Sequence, residues 1–194
     1  MRRSIFLAGL LAVAVCAATL GLSLATAAKR HQGLPIAAVK PAEQDRPGHF
    51  IVARGRYTNG EGFAVFVGRD RVEAGGIAED QVCVGIEVGP SSCGSRRLSR
   101  RDPIDIDESV DDCHGSVVFG HVISAARRVE VSFPNRARFD AELVPMPREV
   151  RPHEKVFVLH VKGRRFAKRV TAVDGNGNAV GTASFGPRDF NSLC

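Results

Sequence analysis

The side chains able to do chemistry in this 194-residue chain are a handful of cysteines, histidines and carboxylates. Cys113-His114-Gly115-Ser116 sets a thiol beside an imidazole, the pairing from which a thiolate nucleophile is made. Neighbours on an extended strand point to opposite faces, so these two cannot share a proton directly, and a structural half-cystine is the simpler expectation for Cys113. Asp102, Asp105, Asp107, Glu108, Asp111 and Asp112 are enough carboxylates to hold a hard cation if a loop folds around it. Arg96, Arg97, Arg100 and Arg101 precede them, and no spacing matches a known metal loop. A self-balancing, solvated loop over 95–112 is therefore expected. Asp174-Gly175-Asn176-Gly177-Asn178 opens like a calcium loop, but the twelfth position is Phe185 rather than a bidentate Glu, which leaves a Gly-rich hairpin turn.

The histidines His31, His49, His114, His121, His153 and His160 are scattered. His121 and His160 alternate with apolar residues and could meet across strands, yet two histidines make an incomplete metal site, and they are expected at the surface. The chain has no G-x-S-x-G elbow, H-E-x-x-H, C-x-x-C or phosphate-cradling glycine loop. No catalytic, cofactor-binding or metal-binding residue and no cofactor is assigned. Arg127-Arg128, Arg164-Arg165 and Lys168-Arg169 offer a basic face for anionic polymers. With no Trp and one Tyr the stacking platforms of single-strand binders are missing, so nucleic acid is not an expected partner.

The elements that must position these residues are strands. Short runs of Val, Ile and Phe with period-2 alternation predict strands at about 49–57, 62–68, 81–88, 116–123, 127–133, 138–144, 155–162, 168–174 and 178–185. Asn59-Gly60 closes the first pair as a hairpin. Eight or nine short strands in one stretch of this length predict an all-β fold, an antiparallel β-sandwich or small barrel.

Before the strands, Met1-Arg2-Arg3 leads an apolar run from Ile5 to Leu24 that meets Leu24-Ala25-Thr26-Ala27-Ala28, a small-residue cleavage site. Residues 1–27 are expected to be a signal peptide, with a retained membrane anchor as the alternative, since about twenty apolar residues can span a bilayer. Its removal leaves Lys+Arg at 25, two fewer than 27, against 21 Asp+Glu, a formal charge of +4 instead of +6. Residues 28–48 carry charge and proline without period and are expected to be a flexible spacer, with one domain over 49–194. In an oxidising compartment Cys83, Cys93, Cys113 and Cys194 form a disulfide framework with three possible connectivities, of which Cys83–Cys93 with Cys113–Cys194 is the simplest.

The hairpin, Val82-Cys83-Val84-Gly85-Ile86-Glu87-Val88 with Cys93-Gly94, Val117-Val118-Phe119-Gly120, Arg128-Val129-Glu130-Val131 and Ala172-Val173-Asp174-Gly175-Asn176-Gly177 together resemble small exported bacterial β-sandwich domains of unassigned function. The resemblance implies fold and export and no activity. The expectation is a secreted or cell-surface, non-catalytic module for interaction or support in the bacterial envelope. Its partner would be an anionic envelope component or another surface protein, with membrane contact only through a retained N-terminal segment. Two alternatives stay open: an exported hydrolase or transferase with a site assembled from distant residues, and a calcium-stabilised extracellular module using 102–112.

Overall fold

A computed structural model describes residues 30–74, 77–87, 91–94, 97–111, 114–163 and 165–186. The expected signal peptide, Cys113 and Cys194, and with them the second expected disulfide, lie outside the described residues.

The chain is all-β. The strands are β1 (Arg30–Gln32), β2 (Ala37–Arg46), β3 (His49–Arg56), β4 (Gly62–Ala74), β5 (Ile77–Ile86), β6 (Ser91–Gly94), β7 (Ile104–Asp111), β8 (Gly115–Ile123), β9 (Arg128–Ser132), β10 (Arg138–Pro145), β11 (Glu154–Val161), β12 (Arg169–Val173) and β13 (Ala179–Ser184). All nine expected strands are among them. One sheet is β2-β3-β4-β5-β6. The other runs β13-β12-β9-β10-β11-β8-β7, with β1 added in parallel to β10.

β10 makes the corner of the larger sheet. Its first half, Arg138–Ala141, pairs with β9, and its second half, Glu142–Pro145, pairs with β11. The sheet thereby folds back on itself until β13 meets the segment leading into β7, where a Cβ on Gly181 would collide with the Pro103 ring. The result is a nearly closed barrel with the five-stranded sheet packed on one wall.

β8 and β11 form that shared wall, and alternation along them feeds two cores. Val117, Phe119, Val156 and Val158 join Val52, Val65, Val67 and Val84 of the five-stranded sheet. Val118, Val122, Phe157 and Leu159 fill the barrel with Val129, Val131, Phe139 and Val170. Strands buried on both faces are apolar almost throughout, and every residue of β8 from Gly115 to Val122 is buried.

Two expectations are corrected. The spacer expected over 28–48 holds β1 and β2, and Ile36, Ala38 and Ala42 pack on the first core. β2 is an edge strand, where proline and charge are tolerated because one side of the ladder has no partner, and its register shifts twice against β3. Such a strand loses the alternation that marks its neighbours. The loop expected over 95–112 holds β6's successor β7, paired with β8 from Ile104↔Val122 to Asp111↔Gly115.

Candidate functional site: a buried charge cluster and an exposed basic row

Cys83 and Cys93 are direct partners across β5 and β6 and form a disulfide, as their spacing suggested. β6 is a four-residue edge strand with little apolar surface of its own, so the cystine ties it to the sheet. A disulfide is compatible with an extracytoplasmic location. Among the described residues no helix is long and apolar enough to cross a membrane.

His121 and His160 are buried, at 2% and 0% exposure, which overturns the expectation of surface residues. Both project from the shared wall toward the five-stranded sheet, on the same face as Val117, Phe119, Val156 and Val158. They do not face each other. His121 pairs with Val156 and His160 with Val117, four positions along the ladder, or roughly 13 Å.

His121 sits in a charge cluster. Its register partner on β7 is Asp105, whose Oδ2 lies 3.3 Å from Nε2, while Glu154 Oε2 at the start of β11 lies 2.6 Å from Nδ1. Ionised carboxylates only accept, so the arrangement favours the imidazolium, in which both ring nitrogens donate. Burial alone would push its pKa down, but the hydrogen bonds and charges of Asp105 and Glu154 outweigh that and hold it above the ordinary value. Glu154 Oε1 accepts from Arg151 Nη1 at 3.4 Å and from the Leu98 backbone N–H at 3.3 Å. Burial raises Glu154, whereas His121, Arg151 and the Leu98 N–H lower it by more, so it stays ionised below the usual range. The charges alternate Asp105, His121, Glu154, Arg151. A general base needs one nitrogen free to meet substrate, and here both are engaged, so the cluster is suited to holding the 97–103 connection onto the β-wall.

His160 is the opposite case. Its ring stands edge-on to Tyr57 at 5.6 Å and Phe63 at 5.2 Å, and neither nitrogen has a hydrogen-bond partner. Burial lowers its pKa and keeps the ring neutral.

The acidic stretch is divided by strand alternation. Asp105 and Asp107 share one face of β7. Glu108 turns into the barrel, where its Oε1 accepts from the Ala167 N–H at 2.8 Å. Ser116 works beside it, its Oγ accepting from the Arg165 N–H at 3.0 Å. These two side chains fix the crossover from β11 to β12. In the 174–178 turn, Asp174 Oδ1 accepts from the backbone N–H groups of Asn176 at 2.8 Å and Asn178 at 2.9 Å. Those bonds hold its pKa below the usual range and occupy the oxygen a cation would need. Among the described residues no group of three or more His, Cys, Asp or Glu side chains could hold a metal ion. His114 and His153 are exposed, and His49 is half-buried with Arg46 Nη2 at 3.3 Å from its Nδ1.

On the outer wall of the barrel the register builds a basic row. Ser132 of β9 pairs with Arg138 of β10 on one side and Arg169 of β12 on the other. Val131, Phe139 and Val170 beside them point into the core, so all three row residues face outward. Adjacent strands are about 4.8 Å apart, which sets the two arginine stems roughly 10 Å from each other. Lys168 and Arg165, both exposed, lie in the segment that enters β12, with the Arg165 guanidinium 5.8 Å from the Phe139 ring centre. The next outward position is acidic on β9 and β10 and is Thr171 on β12: Glu130 accepts from Arg138 at 3.1 Å, and Asp140 lies 3.7 Å from Arg128. Arg165, Lys168 and Arg169 were expected in the basic face, and Arg164 lies outside the described residues. Arg138 was missed, although its alternation with the inward Phe139 was the signal.

No family model, no curated protein and no solved structure matches the chain.

Proposed function

We propose that the chain is an exported or cell-surface interaction module of the bacterial envelope, non-catalytic, that engages an anionic partner through the outer face of β9, β10 and β12. The observation that carries this is the Arg138–Ser132–Arg169 row, with Arg165 and Lys168 exposed in the segment that enters β12. Guanidinium groups present planar forks that match phosphate, sulfate and carboxylate. Those of Arg138 and Arg169 stand on the strands that flank β9 in a nearly closed barrel, so their stems are positioned by a ladder rather than a loop. The Cys83–Cys93 bridge suits an oxidising compartment, and the apolar run Ile5–Leu24 supplies a route to it.

The test is retention of residues 28–194 on isolated envelope fractions and on immobilised dextran sulfate at low and high salt. Wild-type protein is held at low salt and released at high salt, because exposed charges are screened beyond about 8–10 Å at physiological ionic strength. The Arg165→Ala, Lys168→Ala, Arg169→Ala triple variant loses that retention.

A further inference from the structure

The outer face of the five-stranded sheet carries a pair of rings. Val65 and Val67 of β4 point into the first core, so Phe66 between them points out, and inward Phe50 sets its neighbour His49 of β3 outward in the same way. Two rows of register partners cross this face. One runs His49, Gly68, Cys83 and Cys93, and the other Ile51, Phe66, Gly85 and Ser91.

Each ring lies on a glycine. A Cβ on Gly68 would stand 2.8, 2.9 and 3.0 Å from Cε1, Nδ1 and Nε2 of His49, near-equal distances that lay the imidazole face-down over that position. A Cβ on Gly85 would meet Phe66 Cζ at 2.9 Å and Cε1 at 3.0 Å. Glycine within a strand is what lets another group approach the backbone so closely. The two ring centres are 5.7 Å apart and their planes 28° apart, so together they make one shallow platform across β4 and β5. Both rings are half-buried: the sheet covers their undersides and solvent reaches the rest. The rim is polar. Arg46 Nη2 lies 3.3 Å from His49 Nδ1, Glu43 opposite Ile51 holds Arg54 at 3.0 Å, and Ser91 stands beside Gly85. It offers guanidinium donors, a carboxylate acceptor and a hydroxyl that does both.

An open platform covers only one side of what it binds. A flat aromatic molecule would leave its other side in water, whereas a pyranose has apolar C–H groups on its face and hydroxyls round its edge that stay hydrated or meet the rim. We propose that this face binds a neutral glycan of equatorially linked pyranose units, with adjacent units laid on Phe66 and His49 and hydroxyls turned to Arg46, Glu43 and Ser91. The basic row lies on the other sheet, so the site stands apart from the anion-binding reading.

Residues 28–194, which hold every described residue, are titrated calorimetrically with cellohexaose, chitohexaose and maltohexaose in high salt, where exposed charges are screened. Saturation transfer from aromatic protons to the sugar is recorded by nuclear magnetic resonance. The expected result is saturable binding of cellohexaose or chitohexaose, with transfer to the sugar C–H protons, and binding about tenfold weaker for maltohexaose, whose α-linkages coil the chain off a plane. Phe66→Leu keeps an apolar side chain over Gly85 but removes the π face, and is expected to weaken binding about three- to tenfold at unchanged melting temperature, while Phe66→Tyr restores it. Gly68→Ala keeps both rings in the chain but lifts His49 off the sheet, and weakens binding by a similar factor. The Arg165→Ala, Lys168→Ala, Arg169→Ala triple variant binds as wild type. No saturable binding of either straight glycan, equal binding of maltohexaose, or affinity unchanged in both Phe66→Leu and Gly68→Ala overturns the proposal. So does a dimer in sedimentation that Phe66→Leu dissociates, which would give this face to a second copy of the chain.

Discussion

His121, 2% exposed, sits among carboxylates that favour its charged form, and His160, fully enclosed, sits among rings that favour its neutral form. The two therefore respond to pH in opposite senses. For His121 the folded pKa is raised, so its contribution is complete below about pH 6.5 and is lost as pH rises through the folded value. For His160 the folded pKa is lowered, so the unfolded chain takes up the proton first and stability is lost as pH falls below about 6.5. Glu154, also lowered, adds a loss as pH falls through its own folded value. Urea unfolding across pH should show a maximum near neutrality. His121→Gln should cost about 3 kcal/mol, as breaking a buried ion pair does, and flatten the limb above pH 6.5. His160→Leu should raise stability more at pH 5.5 than at pH 7.5, by removing an unpaired polar ring. An alkaline limb that survives in His121→Gln, or a His160→Leu variant less stable at both pH values, would show that these rings are held otherwise. Neither burial was legible in the sequence. A histidine flanked by valines fits an outward position as well as an inward one, and its partners Asp105 and Glu154 lie 16 and 33 residues away.

At the scale of the element, legibility followed the number of faces a strand buries. β8 and β11 announce themselves through valine and phenylalanine, because both walls around them are apolar, and β9 through the clean alternation of a strand with one buried face. β7 carries the same alternation in Ile104-Asp105-Ile106-Asp107, but its carboxylates suggested a solvated loop. Two of those carboxylates are spent inside the fold, Asp105 on His121 and Glu108 on the Ala167 N–H. β6 depends on covalent help. Replacing Cys83 and Cys93 with alanine should lower stability by about 2–4 kcal/mol. Amide hydrogen exchange should rise across β6 while β8 and β11 stay protected. Equal protection of β6 in both forms would mean that the ladder alone holds it.

Taken whole, the molecule is a nearly closed barrel sharing one wall with a five-stranded sheet. That wall, β8 and β11, is shut away from solvent, so recognition falls to outer surfaces such as the far side of the barrel and the outer face of the five-stranded sheet. The first presents arginines on a ladder, which suits anions. The all-β class and the Cys83–Cys93 bridge were visible from the sequence. The basic row was visible only in part, since Arg138 and Arg169 become neighbours through Ser132 and are 31 positions apart in the chain. The measurement that bears most directly on an anion-binding envelope module is salt-dependent retention of residues 28–194 on envelope fractions, wild type beside the Arg165, Lys168 and Arg169 alanine variant. The account predicts binding at low salt that is lost at high salt and lost in the variant. Wild-type retention that is absent, or that neither salt nor the three substitutions change, would contradict it.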